Sequence, residues 1–280
     1  MRFGVIPVDF EPLSFVRAGS DRFEGVFYFS SPDGRAAGGL GIAANASASG
    51  VGRFSAVRSM VDEWAIPEPF RVFTGFSFAP EGPRSEPWSS FGASDAVLPI
   101  ATAVRRGDER LLLLALPPHA DVSKTAALLE SLSPPPEPSY PNLGDHTLES
   151  CPPVSEWTAA VADAVDAIHD GTLRKVVLAR SVVVRSDDAP DGFDLVDHLE
   201  RSYRQCFGFG WRSNGATFVG ASPELLVRLD RGVVTSNPLA GSARRGEGGG
   251  HPGGNSHNEV KRRRCRPPND FVADSLDAHH

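Results

Sequence analysis

Short apolar runs, each closed by turn residues, dominate the first half of the sequence and favour antiparallel β-sheet. The stretch "AVLPIATAVRRGDERLLLLAL" holds two such runs around Arg-Arg-Gly-Asp, and "SPDG" separates another pair. Glycine and aspartate between short apolar runs are typical of β-hairpin turns. We therefore predict an N-terminal β-rich region over residues 1–145, with a short amphipathic helix at "VSKTAALLESL".

A proline-rich joint, "SPPPEPSYPNLGD", leads to a second region over residues 146–246. "SEWTAAVADAVDAIHDG" predicts a helix capped by Ser155 and stopped by Gly171, and "FDLVDHLERSYRQC" predicts another. The runs "LRKVVLARSVVV", "ATFVGASPELLVRLD" and "GVVTSNPLAGSARRG" predict strands. Helices layered on antiparallel strands make the expected fold class α+β.

The remaining residues, 247–280, have a different composition. Glycine, asparagine, histidine and arginine cluster there and periodic apolar residues are few, so we expect a disordered tail. The run "KRRRCR" is also compatible with nucleic-acid binding, but acidic residues in the same tail offset it. The formal net charge of -7 likewise argues against a nucleic-acid partner.

Composition also bears on the cellular compartment of the protein and on its binding partners. No apolar run approaches the length of a membrane span, and the first residues lack the pattern of a signal peptide. The three cysteines, Cys151, Cys206 and Cys265, are unpatterned, as expected for a reducing compartment. We expect a cytoplasmic protein with no membrane partner.

A lysine near the start of an apolar strand is the first candidate for chemistry. Residues 173–184 are apolar and β-branched almost throughout, which predicts a buried strand, yet Lys175 lies within it. Alternation places Lys175, Val177 and Ala179 on one face. A desolvated lysine can act as a general base near neutral pH. The alternative is a lysine at a strand end whose ammonium group reaches solvent.

Two further motifs carry candidate groups. In "FVGASPELL" a strand is expected to end at Gly220, and Pro223 fixes the backbone before Glu224, a candidate proton donor. The alternative for Glu224 is a carboxylate favoured at a helix start. In "PLAGSARRG" the backbone around Gly241 can approach an anion closely, with nearby arginines adding charge; the alternative is an ordinary loop.

Taken in order, "KVVLARS", "GASPELL" and "PLAGSARRG" closely resemble the chorismate-utilising enzymes, and among them the isochorismate synthases. "FSSPDG", "GLGIA", "FTGFSFAP" and "EPW" resemble the first half of the same family. The resemblance extends over roughly residues 20–246. It implies the layered α+β fold of the anthranilate synthase large subunit, here lacking its C-terminal half, followed by a non-homologous tail.

The resemblance also implies roles. Chorismate is the substrate, water adds at ring C2, and the C4 hydroxyl leaves. Lys175 is then the general base and Glu224 the general acid. Ala240, Gly241 and Ser242 then contact a substrate carboxylate. A lysine rather than a glutamine at 175 favours water over ammonia as the nucleophile.

The family uses Mg²⁺, and its metal-binding glutamates are expected in sequence that has no counterpart after residue 246. We therefore expect a magnesium-dependent family but a chain without the metal ligands and without activity of its own. Isochorismate serves menaquinone, salicylate and siderophore synthesis alike. The alternatives are a salicylate synthase of the same family, or a non-catalytic remnant that binds chorismate or a partner chain.

Overall fold

The apolar runs of the first half pair as antiparallel strands in the structure, a computed structural model that describes residues 1–83, 85–132 and 145–237. The predicted turns at "SPDG" and "RRGDER" both close hairpins. Antiparallel sheets are layered with helices, which confirms the α+β fold class. In these described ranges, no helix is long and apolar enough to span a membrane.

The described residues form fourteen strands and five α-helices. The strands are β1 (Arg2–Pro7), β2 (Val26–Ser30), β3 (Ala36–Leu40), β4 (Ala44–Ser47), β5 (Phe73–Phe76), β6 (Ser94–Leu98), β7 (Ala101–Arg106), β8 (Glu109–Leu116), β9 (His146–Cys151), β10 (Ser181–Ser186), β11 (Phe207–Ser213), β12 (Ala216–Ser222), β13 (Leu225–Asp230) and β14 (Val233–Asn237). The helices are α1 (Pro12–Gly19), α2 (Arg53–Asp62), α3 (Val122–Glu130), α4 (Val154–His169) and α5 (Gly192–Ser202).

A seven-stranded antiparallel sheet in the order β1-β8-β7-β3-β2-β11-β12 organises the molecule. Strand β11 pairs with β2, so that Trp211 lies opposite Phe27. This sheet therefore contains strands from both sides of the boundary predicted at residue 145. The three predicted regions, 1–145, 146–246 and 247–280, stay a prediction, and the last of them lies outside the described residues.

Helices α1 and α5 cover one face of this sheet. The buried side chains there are Leu13, Phe15, Val16, Val26, Tyr28, Ala36, Leu40, Ala101, Ala103, Leu112, Phe193 and Val196. Helix α1 packs closely because β3 presents Gly38 to it: a Cβ at this position would lie 2.5 Å from the backbone oxygen of Pro12. A small residue is therefore required where the helix crosses the strand.

The small sheet β4-β6-β5 lies over the opposite face, with helix α2 packed on it. Phe27 contacts both Phe73 of β5 and Trp211 of β11, with ring centroids 5.6 Å and 4.7 Å away. Aromatic contacts of this kind join the two sheets and fill the space between them.

Three elements of the second region are largely exposed. Helix α4 buries no residue, and β9–β10 and β13–β14 each form a separate two-stranded sheet. The helix begins one residue before Ser155 and has no side-chain cap, so the predicted cap at Ser155 was wrong. Pro153 precedes the helix instead, while Gly171 follows its end at φ +75°, as the predicted stop requires. In α5, Phe193 and Val196 are the buried pair.

Candidate active site

Glu224 lies at the joint between the large sheet and the hairpin β13–β14. Strand β12 continues through Ser222, which pairs with Phe207, so the predicted strand end at Gly220 was two residues early. Pro223 then interrupts the ladder because it has no N–H to donate. The backbone N–H of Glu224 donates to Ser222 Oγ at 3.3 Å, and the residue is exposed. Pro223 thus separates the end of β12 from Glu224, and the role of this carboxylate as a proton donor stays a prediction.

Lys175 lies in a segment without regular secondary structure, residues 175–180, that precedes β10. The prediction of a buried strand over residues 173–184 was wrong in two respects: the strand is Ser181–Ser186, and residues 171–180 are all exposed. The neighbouring strand β9 ends at Cys151, opposite Ser181. Two prolines follow it and cannot extend the ladder, so residues 175–180 have no strand to pair with in the described part of the chain.

The two faces of this segment nevertheless differ as alternation predicts. Val176 and Leu178 are 41% and 38% exposed, whereas Val177, on the face of Lys175, is 93% exposed. The guanidinium of Arg180 lies 6.0 Å from the ring centroid of Trp157 in helix α4. Val177 is thus the most exposed apolar side chain of this segment, next to Val176 and two positions from Lys175.

The remaining predicted residues, Ala240, Gly241 and Ser242, lie outside the described residues, so their role stays a prediction. The hairpin register still relates two of the motifs. Asn237, immediately before "PLAG", is paired with Leu225, immediately after Glu224. Lys175 lies in the segment that leads into β10, outside the hairpin that relates these two motifs, and no ion pair joins it to Glu224 among the described residues.

The described residues contain no ready-made cluster of metal-binding side chains. Mg²⁺ binds oxygen ligands in near-octahedral geometry, through one or two carboxylates together with substrate oxygens and water. No group of three or more histidine, cysteine, aspartate or glutamate side chains comes together over residues 1–83, 85–132 and 145–237. The magnesium requirement therefore stays a prediction.

Sequence reasoning missed a polar cluster beneath helix α5. Glu200 Oε1 accepts a hydrogen bond from Tyr28 Oη at 2.9 Å and another from Ser30 Oγ, which in turn accepts from the Gly208 N–H at 3.2 Å. Burial, and then the charge of Glu200, raise the pKa of Tyr28 well above its usual value. The spacing of Phe193, Val196 and Glu200 places this carboxylate on the buried stripe of the helix, a signal visible in the sequence.

Comparisons with known proteins show which family and which relatives this sequence matches. Residues 5–252 match the family model described as chorismate binding enzyme. A salicylate biosynthesis isochorismate synthase of Pseudomonas aeruginosa is 31% identical over an alignment of 261 positions, which covers 87% of this chain and 53% of that protein. The isochorismate synthase MenF of Bacillus subtilis is 28% identical over 188 residues, 62% of this chain and 38% of the relative.

The fold is also similar to a solved structure. MenF, the menaquinone-specific isochorismate synthase of Escherichia coli, superposes with a TM-score of 0.67 at 23% sequence identity, over 86% of this chain and 54% of that one. The chain thus spans about half the length of the relatives it matches. Because the family model covers most of the sequence, the chain belongs to the chorismate-binding enzymes.

Proposed function

We propose that this chain is derived from the isochorismate synthases, which convert chorismate to isochorismate. The observation that carries the proposal is the presence of Lys175 and Glu224, in family order, within the span matched by the chorismate-binding model. The relatives named above are themselves isochorismate synthases of salicylate and menaquinone synthesis, which supports the same reaction here. A cytoplasmic location and a role in one of these pathways belong to the proposal.

In the proposed reaction the Lys175 amine takes a proton from a water molecule, whose oxygen attacks ring C2. The ring diene shifts, and the C4 hydroxyl leaves as water after accepting a proton from Glu224. One water is consumed and one released, so the reaction is an isomerisation. Lys175 gains the proton that Glu224 loses, and the pair must exchange a proton before the next turnover.

We further propose that the described part of the site does not turn over chorismate by itself. Lys175 is exposed, its segment lacks a paired strand, and the described residues supply no metal-ligand group. A general base gains strength from a site that excludes water, and this one does not exclude it. The function this favours for the 280-residue chain alone is chorismate binding without conversion.

The reaction is tested in a chimera. Residues 5–237 replace the matched part of the Pseudomonas aeruginosa relative, and the product is analysed by mass spectrometry after incubation with chorismate and Mg²⁺ in ¹⁸O-labelled water. Isochorismate that carries one labelled oxygen supports the proposal, and loss of product in Lys175→Gln assigns the base. The native relative is the control for the assay. Salicylate as the first product would instead identify a salicylate synthase.

The unmodified chain is tested separately by calorimetric titration with chorismate and by a turnover assay. Binding without turnover agrees with the second part of the proposal. Turnover at the rate of the intact relative contradicts it and leaves the reaction assignment in place.

A further inference from the structure

Three β-hairpin turns meet around one cleft of about 980 Å³. They are the β2–β3 turn, the β7–β8 turn and the β13–β14 turn, and they contribute Arg35, Arg105 with Arg106, and Arg228 with Arg231 respectively; Arg71 completes the lining. Two aspartates, Asp33 and Asp230, are the acidic residues in the same lining. Six arginines against two aspartates give a strong excess of positive charge on a chain whose formal net charge is -7.

Ion pairs hold part of this cluster in place. Asp33 pairs with Arg35 across its own turn and with Arg228 of β13 at 3.6 Å, which ties the separate hairpin to the large sheet. Arg105 donates to the Gly34 carbonyl at 2.9 Å and to Glu11. The hydrogen bonds from Arg35 above all hold the pKa of Asp33 well below its usual range, so this carboxylate stays charged. The walls of the cleft are therefore fixed by interactions between turns that are distant in sequence.

Two of the arginines remain available to a ligand. Arg106 and Arg231 are exposed and form no ion pair within the described ranges, although both line the cleft. Arg106 is contributed by the large sheet and Arg231 by the tip of the β13–β14 hairpin. The neighbouring residues Gly107 and Gly232 have no side chains, and an added Cβ at either would meet nothing within 4 Å.

We propose that this cleft binds a small molecule with two or more phosphate groups. Guanidinium groups form paired hydrogen bonds with phosphate oxygens, and a phosphate presents three acceptor oxygens and up to two negative charges. Because Arg106 and Arg231 are contributed to one cleft by two separate turns, a ligand with two anionic groups suits them better than one with a single anionic group. The cleft volume lies in the range of small-molecule sites. Neither Lys175 nor Glu224 lines the cleft, although Leu225, the neighbour of Glu224, does. The inference rests on the arginines and not on the proposed reaction.

The test is calorimetric titration of the full chain with pyrophosphate in about 50 mM salt, where surface charges are only partly screened. We expect one pyrophosphate per chain. The double variant Arg106→Gln, Arg231→Asn removes both free guanidinium groups, and asparagine tolerates the positive φ of residue 231. Binding should weaken at least about tenfold in this variant, because charge-assisted hydrogen bonds are lost from both walls.

The matched control is Arg22→Gln, Arg58→Gln, which removes two exposed arginines elsewhere and causes the same change of net charge. Its affinity should stay within about twofold of the original, since charges beyond a Debye length are screened. Circular dichroism checks that each variant is folded, and the single variants are titrated if the double variant is not. Absence of pyrophosphate binding, equal weakening in both pairs, or equally tight binding of citrate would each overturn the proposal.

Discussion

At the scale of single residues, the Tyr28–Glu200 pair shows how the surroundings of a tyrosine change its pKa. The tyrosine hydroxyl is buried between β2 and α5 and donates to a carboxylate that also accepts from Ser30. Ionisation of Tyr28 would place two negative charges together and remove a donor. The neutral form is therefore strongly favoured in the folded chain, as the raised pKa indicates.

This predicts a loss of stability at alkaline pH. Because the folded pKa of Tyr28 is raised, its contribution is complete below the unfolded value of about 10 and falls as the pH rises beyond it. Urea unfolding between about pH 8 and 11 should show this decline, and Tyr28→Phe should reduce its slope. At neutral pH the same variant should cost about 1–2 kcal/mol, because Glu200 loses a buried donor.

Tyr203→Phe is the control, since Tyr203 is 55% exposed. It should change neither the stability at neutral pH nor the alkaline slope. Equal slopes for the original chain and for Tyr28→Phe would show that the alkaline loss has another origin.

Lys175 shows what a residue type predicts and what it leaves open. Lys175 was predicted to be a general base because it interrupts an apolar run, and this pattern is visible in the local sequence alone. Its burial depends on which strand lies beside residues 175–180, and composition carries no information about that neighbour. The role of the residue therefore remains a prediction, while its expected burial was wrong.

At the scale of elements, the contact between α1 and β3 depends on a missing side chain. A Cβ at Gly38 would lie 2.5 Å from Pro12 O and 2.8 Å from a Val16 methyl group. Backbone atoms cannot yield as a flexible side chain can, so the helix would have to move. Gly38→Ala should therefore lower the free energy of unfolding by about 1–3 kcal/mol, the usual range for overpacking.

Gly4→Ala, in β1 of the same sheet, is the comparison. There the new Cβ would meet only the Leu114 Cβ, at 3.9 Å, which is an ordinary contact. We expect little change or a slight gain in stability, because alanine restricts the unfolded chain. The free energies of unfolding of both variants, measured by chemical denaturation, test this prediction. Equal changes in the two variants would show that α1 does not pack tightly on β3 at Gly38.

Elements differ in how far the sequence predicts them. The hairpins at Ser31–Arg35 and Arg105–Glu109 were predicted because each turn and its two strands are adjacent in sequence. Helices α3, α4 and α5 were predicted because each has apolar residues at helical spacing and turn residues beside it. Strand β1 was missed because proline and charged residues surround a short apolar run. The pairing of β11 with β2 joins residues about 180 positions apart, and no local pattern encodes it.

At the scale of the whole molecule, burial is uneven. The large sheet has a buried residue at most positions of β2, β3 and β7, whereas β13, β14 and α4 have none. Exposed apolar side chains gather in α4, in the hairpins β9–β10 and β13–β14 and in the segment before β10: Leu148, Val154, Val161, Val165, Ile168, Val177, Val182, Val184, Leu226, Val227, Leu229, Val233 and Val234. Exposed apolar area on this scale is unusual in a soluble monomer.

We predict that polar substitutions on this surface are tolerated. Val177→Ser with Leu226→Ser, at sites 93% and 73% exposed, should change the free energy of unfolding by less than about 0.5 kcal/mol. The same pair should reduce binding of a hydrophobic dye, which reports accessible apolar surface. Val16→Ala, at a fully buried site, should in contrast cost about 1–3 kcal/mol without reducing dye binding. A large loss from the serine pair would mean that these side chains are covered in solution.

The order of strands in the large sheet also bears on synthesis at the ribosome. Five of its seven strands, β1, β8, β7, β3 and β2, are contiguous in the sheet and are all translated by residue 116. They can therefore pair while the rest of the chain is still being made, and β2 then forms a temporary open edge. That edge waits for β11, which is complete only at residue 213. During the interval the nascent chain presents an unpaired apolar strand, and chaperone contact or mispairing is most expected there.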